Sequence, residues 1–327
     1  MRAILWRIYR PFAGLVAWVV KLGWRLGGRP WSAYERQGML PIPLHYYQPY
    51  PAAVDLERKG FWNGQSGLKG IELRPEAWLA LLEALGSSFG DECRWAEQSD
   101  DPHAYHCSNG TFGFTSAAVA HAMVRRFRPQ RVLEVGSGYS THILCNALDR
   151  NARDNRDARG DDAGGDRDDP ALTSIEPYPP EILNTDLPRL SRRIESPVEL
   201  VDPALFAELE ENDLLFIDSS HVIRYGGDVL FLYLEVLPAL RPGVVVHVHD
   251  IHLPDPYPKV YFDDNRYIWN EQQLLHAFLC HNDAFEVLLP CWLVHKRHDG
   301  AFARAFPHYS AERHRPGSSF WMRRRPA

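Results

Sequence analysis

Apolar positions recur along the chain in two rhythms. From Arg74 to Leu85, Trp78, Leu81, Leu82 and Leu85 fall at helical spacing and predict a helix that Gly86 ends. Thr115 to Phe127 repeats the pattern with Val119, Met123 and Phe127. Short apolar runs bounded by turn residues then predict buried strands at Arg131–Val135, Leu172–Ile175, Val198–Val201, Leu214–Ile217 and Val244–Val248. Helices are predicted between them at Ser140–Leu148, Pro203–Glu210 and Asp228–Leu240. The second opens on a proline whose missing N–H is harmless there, and the third is closed by Arg241-Pro242-Gly243. Glu271–Leu279 reads as a further helix, and Phe285–Leu289 with Trp292–Val294, then Ser319–Met322, as late strands. This alternation predicts an α/β fold: a doubly wound, mostly parallel seven-stranded sheet covered by helices on both faces.

Two stretches break the rhythm. Asn151 to Pro170 has almost no apolar residue and alternates Asp with Arg and Gly, so it lacks the surface to order itself and is expected to be a disordered loop insertion. Residues 1–24 are rich in Trp, Leu and Val with scattered cations. The longest uncharged run, Pro11 to Val20, is ten residues, against the roughly 20 that a spanning helix needs. An amphipathic helix at a membrane surface, or one packed on the domain or on a second subunit, is expected there. The divisions expected are 1–30 as this N-terminal helical extension, 31–108 as a Pro- and Tyr-rich wrapping segment, and 109–327 as the core domain.

Composition narrows the partners. Hydrophobic residues make up 45% of the 327, enough for a packed core, and the net charge of −6 offers no basic surplus for nucleic acid. The five cysteines contain no CxxC pair, which argues against structural zinc or a disulfide scaffold and for reduced thiols in the cytoplasm, with the membrane-associated alternative left open by residues 1–24.

In such a sheet, ligands bind beyond the carboxyl ends of the strands. Acids stand in or just after four of the predicted strands: Glu134, Glu176, Asp218 and Asp250. In Glu134-Val135-Gly136-Ser137-Gly138-Tyr139-Ser140-Thr141 a strand runs into a glycine turn and then a helix whose free N–H groups suit an anionic group such as a carboxylate. Glu176, at the next strand end, is placed to accept hydrogen bonds from two ribose hydroxyls. Its distance of 38 residues from Gly138 shrinks to an ordinary interval once the polar insertion is discounted.

The runs RVLEVGSGYST, LTSIEP, DLLFIDSSH and LPALRPGVVVHVHDIHLPDPYP, followed by WNEQQLL and SSFW, resemble class I S-adenosylmethionine-dependent methyltransferases, and more narrowly a bacterial small-molecule-type group with an HDIxLP motif after the fifth strand. The resemblance spans roughly Asn109 to Met322 and implies a Rossmann-like methyltransferase domain. It implies that Glu134, Gly136, Ser137, Gly138, Tyr139, Ser140 and Thr141 surround the methionine end of S-adenosylmethionine, Glu176 its ribose and Asp202 its adenine, with Asp218 facing the amino group or a metal. A small-molecule acceptor, methylated at oxygen, is expected. Residue 141 is Thr where a dinucleotide fingerprint has its third glycine, which weighs against the alternative of an NAD(P)-dependent oxidoreductase; a non-catalytic cofactor-binding module is the other alternative.

Methyl transfer needs an acceptor in line with the sulfonium and a group to take its proton. His221, Asp250 and His252 are the catalytic candidates, with His249 beside them. Related enzymes that use a divalent ion hold it with acids after the fourth and fifth strands. Asp218 and Asp250 match two such ligands, Ile251 cannot be the third, and His252 or His221 can replace it, with magnesium the ion expected. His247 reads as a hydrogen-bonded core residue. Tyr257, Tyr261, Tyr267 and Trp269 are expected to wall an acceptor pocket or simply to pack, and Glu271 to be a first-turn acid favoured by the helix dipole. A homo-oligomer is compatible with the sequence.

Overall fold

A computed structural model of the chain describes residues 7, 9–25, 31–159 and 169–325. The chain divides into two compact units, Met1–Phe61 and Trp62–Ala327. The first contains the helix Ala13–Arg25 and short helices at Trp31–Glu35 and Ala53–Arg58.

The second unit is built on seven strands: β1 (Arg131–Val135), β2 (Ala171–Ile175), β3 (Leu190–Ile194), β4 (Leu214–Ile217), β5 (Val245–Val248), β6 (Phe285–Pro290) and β7 (Phe320–Arg324). Their order is β3-β2-β1-β4-β5-β7-β6, with only β7 running antiparallel to its neighbours. The α/β architecture is the one expected. β4 and β5 are wholly buried and β1 is buried but for Arg131, as central parallel strands must be.

The third strand is not where the apolar run placed it. Val198–Leu200 forms a single 3-10 turn, and the edge strand is Leu190–Ile194, whose Ser191, Arg192 and Arg193 face solvent. An edge strand needs no alternating apolar face, so its sequence carried no periodic signal. Trp292–Val294, expected as a strand, lies in the helix Cys291–Arg297. Asp228–Leu240 runs as helix, then a π turn at Leu232–Val236, then Leu237–Ala239. Pro238 lacks the N–H that would continue the α pattern there.

Three helices frame the site: α1 (Pro75–Phe89), α2 (Phe114–Phe127) and α3 (Tyr139–Arg159). Gly86 does not end α1. It lies inside the helix, where an added Cβ would meet the Ala305 carbonyl oxygen at 2.1 Å. Trp78, Leu82 and Leu85 join the core, and the Trp78 indole donates to the Val287 carbonyl on β6 at 3.0 Å, so residues 62–108 belong to the core unit and are no separate wrapping segment. The insertion is also shorter than its composition implied, because α3 continues through residues 151–159. Asn151 and Ala152 are buried, and Arg125 of α2 donates to Asn151 at 2.6 Å and Asp154 at 2.7 Å. A buried arginine on a neighbouring helix supplies the partner that local composition could not reveal. The remainder of the proposed insertion, 160–168, lies outside the described residues.

Candidate active site

β1 leaves the sheet at Val135, and Gly136 turns the chain at φ +82°. The turn is pressed against β4: the Asp218 amide donates to the Val135 carbonyl at 2.8 Å, and a Cβ on Gly136 would meet the Asp218 carbonyl oxygen at 1.7 Å. Only a residue without a side chain fits there. Gly138, two residues on, is different, because a Cβ there would meet nothing closer than Pro180 at 3.9 Å.

Glu134 lies behind this turn and not in the cleft. It is fully buried, with one carboxylate oxygen accepting from Ser140 Oγ and the other from Thr141 Oγ1, both at 2.7 Å. Thr141 Oγ1 in turn accepts from the Gly138 amide at 3.0 Å. The three side chains expected on the methionine tail thus lock the turn to the start of α3. Burial pushes the Glu134 carboxyl up to about 8, outweighing the two hydroxyl donors, and the negative Asp218 and Glu176 nearby act in the same direction as burial.

In front of the turn lies a solvent-open cleft of about 390 Å³, lined by Gly136, Glu176 and Asp218 together with Ile175, Pro177 and Val198. Glu176 is half-buried and held by backbone donors, Tyr178 N at 2.8 Å and Ser137 N at 3.3 Å. Ser137 Oγ is 2.6 Å from Ser174 Oγ. Tyr139 is half-buried with its ring edge-on to Tyr105 and His106. Asp202 is elsewhere: it is exposed and caps its own 3-10 turn by accepting from Ala204 N at 2.9 Å. With β3 at Leu190–Ile194, the segment that reaches the cleft after it is Pro197-Val198-Glu199, which displaces the adenine-side expectation from Asp202.

Beyond Asp218 the ends of β4 and β5 converge in a charged cluster. His221 Nε2 lies 3.3 Å from Asp218 and 3.7 Å from Asp250, while its Nδ1 lies 2.8 Å from the fully buried Glu271. His249 Nδ1 is 3.5 Å from Asp218 and 3.7 Å from Asp250, and its Nε2 is 3.3 Å from Ser116 Oγ. Ser318 Oγ donates to Asp250 at 2.8 Å. His221 and Asp250 both take left-handed backbone, at φ +60° and +53°. Such strain persists only where the surroundings impose it. For His221 they do: its carbonyl accepts from Asn270 N and Glu271 N, and Asn270 Oδ1 accepts from Ile223 N.

The electrostatics of the cluster are set by its carboxylates. Burial alone would depress His221, but the hydrogen bonds to Asp218 and Glu271 override it and hold the imidazole well above its ordinary value. His249 is raised in the same way, burial being outweighed by the charges of Asp218 and Asp250. Asp218 is held well below the carboxylate range despite its burial, because both imidazoles face it. His221 is therefore a charged group at neutral pH and not a free base. His252 stands apart from the cluster, its ring against Trp292, Tyr257 and Tyr261 and its backbone N–H donating to Gln272. Burial pushes it down to about 4. His247 is the core residue expected, fully buried, stacked on Phe216 at 3.8 Å and 3.0 Å from Ser319 Oγ.

Glu271 and His249 are the members that sequence reasoning undervalued. By sequence Glu271 is a helix-dipole acid, since nothing local reveals that a residue 50 positions away turns back onto it. Among Tyr257, Tyr261, Tyr267 and Trp269, the Trp269 ring meets the other three and lies 4.4 Å from the His221 ring.

Among the described residues, ligand atoms of Asp218, His221 and Asp250 lie within 4.8 Å of one another, as do those of Glu97, Cys107 and His314. The second group is internally paired. His314 Nδ1 accepts from Ser310 N, which leaves the proton on Nε2, 3.1 Å from Glu97, and Arg313 closes on the same carboxylate oxygen at 2.8 Å.

Residues 133–251, which run from β1 past Asp250, match the family described as "Methyltransferase domain". The chain is 31% identical over 189 residues to an uncharacterised protein of Archaeoglobus fulgidus, across 55% of this chain and 79% of that one. It also aligns with the O-methyltransferase TomG of Streptomyces achromogenes, involved in tomaymycin synthesis and solved with its methyl donor, at TM-score 0.38 and 14% identity over 84% of this chain and 96% of that one. The Podospora anserina methyltransferase PaMTH1 aligns at TM-score 0.37 and 17% identity, over 88% and 99%. Superpositions this loose decide nothing by themselves. The family match covers the glycine turn and the ends of β1, β2, β4 and β5, segments that build the cleft and much of the charged cluster, and residues 133–251 of this chain form a methyltransferase domain of that family.

Proposed function

We propose that the cleft holds S-adenosylmethionine and that the cluster beyond Asp218 receives the hydroxyl of a small-molecule acceptor, making the chain an O-methyltransferase. The observation that carries this reading is that Glu176 and Asp218 line one hollow on either side of the Gly136 turn. The residues fit the cofactor. Glu176 keeps acceptor capacity for ribose hydroxyls, Asp218 offers negative charge to an ammonium, and Ile175, Pro177 and Val198 give an apolar surface for a base. The cleft volume falls within the range of about 300–1,000 Å³ usual for such ligands.

Bound S-adenosylmethionine supplies an electrophilic methyl group. In our reading the half-buried Asp250, fixed by Ser318, accepts the acceptor's proton as the new bond forms. His221 is a positioning residue, its charge balancing Asp218 and Asp250 while Glu271 holds the ring. This replaces the expectation of His221 as base, and His252 has no part in it.

A second reading is favoured by the donor set Asp218, His221 and Asp250. Glu271 on the far nitrogen of His221 is the arrangement that orients a metal-bound imidazole. An imidazole among the ligands suits a transition metal such as manganese or zinc better than magnesium. Such an ion would lower the pKa of an acceptor hydroxyl.

Calorimetry with S-adenosylhomocysteine and with NAD tests the cofactor. Binding of the first and none of the second is expected, with Glu176→Ala weakening it at least tenfold. Asp250→Asn should leave this affinity within about twofold and cut turnover of an acceptor found by screening with labelled donor. NAD binding, or an unchanged Glu176→Ala affinity, refutes the reading.

A further inference from the structure

The first unit carries a feature that the methyltransferase reading does not use. In the first 34 residues there are six cations (Arg2, Arg7, Arg10, Lys21, Arg25 and Arg29) and no acid, leaving 30 cations against 42 acids, a net −12, in the remainder. Within that stretch Ala13–Arg25 is an α-helix, preceded by a 3-10 turn at Arg10–Phe12. Large apolar side chains of this turn and helix lie in water: Phe12, Leu15, Val16, Trp18 and Val19 are 45–59% exposed and Leu22 is 37%.

The two classes of residue are segregated. At about 100° per residue, Arg7, Arg10 and Lys21 project within a sector of roughly 60°, and Trp18, Leu22, Leu15, Val19, Phe12 and Val16 fill the adjoining arc of roughly 160°. An arc that wide and exposed stabilises nothing as it stands, and a stretch with no carboxylate does not neutralise its own charge. Among the described residues no helix is long and apolar enough to span a bilayer.

We propose that the helix Ala13–Arg25 seats this protein on an anionic lipid surface, lying in the interface with Phe12, Leu15, Val19 and Trp18 among the acyl chains and Arg7, Arg10 and Lys21 at the headgroups. The charge pattern selects the occupant. A second copy of the same helix would bring six cations against six cations, whereas an anionic leaflet complements them. The strongly acidic remainder of the chain is repelled by the same leaflet, so contact is confined to this segment.

The test uses the full chain in flotation with vesicles of phosphatidylcholine alone and with 30% phosphatidylglycerol added. Flotation with the anionic vesicles, reduced by raising the salt from 50 to 500 mM, is expected. Each cation at the surface contributes about a fivefold gain, so Arg10→Glu with Lys21→Glu should lose well over tenfold of the partition. Trp18→Ser with Leu15→Ser should lose binding to the anionic vesicles while S-adenosylhomocysteine affinity stays unchanged, which shows that the second unit is folded. Equal binding to neutral and anionic vesicles, no binding to either, or charge-reversed protein that floats like wild type overturns the proposal. So does concentration-dependent dimerisation that disappears in Trp18→Ser without any vesicle binding.

Discussion

Gly136 and Gly138 stand two residues apart in the same turn, and the structure assigns them opposite sensitivities to alanine. At Gly136 an alanine meets two penalties. Left-handed backbone at φ +82° costs about 1–2 kcal/mol for a residue with a Cβ. The Cβ would also lie 1.7 Å from the Asp218 carbonyl oxygen, short of the 3.0 Å that such atoms essentially never breach. Parting β1 from β4 at this point costs a further 1–3 kcal/mol or so in strain and strains two backbone hydrogen bonds, Gly136 N to Ile175 O at 3.0 Å and Asp218 N to Val135 O at 2.8 Å. Gly136→Ala should therefore lose roughly 2–5 kcal/mol, which for a domain of this size lowers the melting temperature by about 4–20 °C. Gly138→Ala has no positive φ to oppose it and open space beyond its Cβ, so its stability should stay within about 1 kcal/mol of wild type. That open space is where the cofactor approaches in our reading, so its S-adenosylhomocysteine affinity should fall at least tenfold. Scanning fluorimetry measures the first effect and calorimetry on folded protein the second. A Gly136→Ala protein melting within 2 °C of wild type would refute the packing argument, and undiminished affinity in Gly138→Ala would remove that residue from the ligand's path.

Arg125 is 7% exposed and bonds Glu92, Asn151 and Asp154, so Arg125→Ala should cost about 3–5 kcal/mol in urea unfolding. Excising 151–159 should be similarly harmful, and a midpoint within error of wild type for either would show that α3 ends earlier than described. For Glu134, the folded carboxyl titrates at about 8 and the unfolded one at 4.5, so the folded state carries the extra proton between them and stability declines as pH rises through that window. Glu134→Gln cannot titrate and should show a flatter melting temperature from pH 5 to 8; parallel curves for the two proteins would count against a buried, proton-carrying Glu134.

The class of fold was legible because central parallel strands are buried on both faces and read as apolar runs, unbroken in Leu214–Ile217 and interrupted only by His247 in Val245–Val248. The acids after β2, β4 and β5 were legible for a related reason: a strand must stop being apolar where it leaves the sheet, so Glu176, Asp218 and Asp250 stand out against it. What eluded local reading depended on partners distant in sequence. Leu190–Ile194 is a strand because β2 pairs with it, and residues 151–159 stay helical alongside the buried Arg125. Glu134 faces backward to Ser140 and Thr141 because side chains on a strand alternate, and Val135 takes the opposite side of the sheet. Sequence by itself determined which elements form and which strand ends carry charge, since both follow from the periodicity of apolar burial. Only the tertiary structure decided which of those charges meet. His221 became a cation between Asp218 and Glu271, and Asp202 a mere turn cap, because a titratable group takes its character from the neighbours that folding brings within a few ångströms.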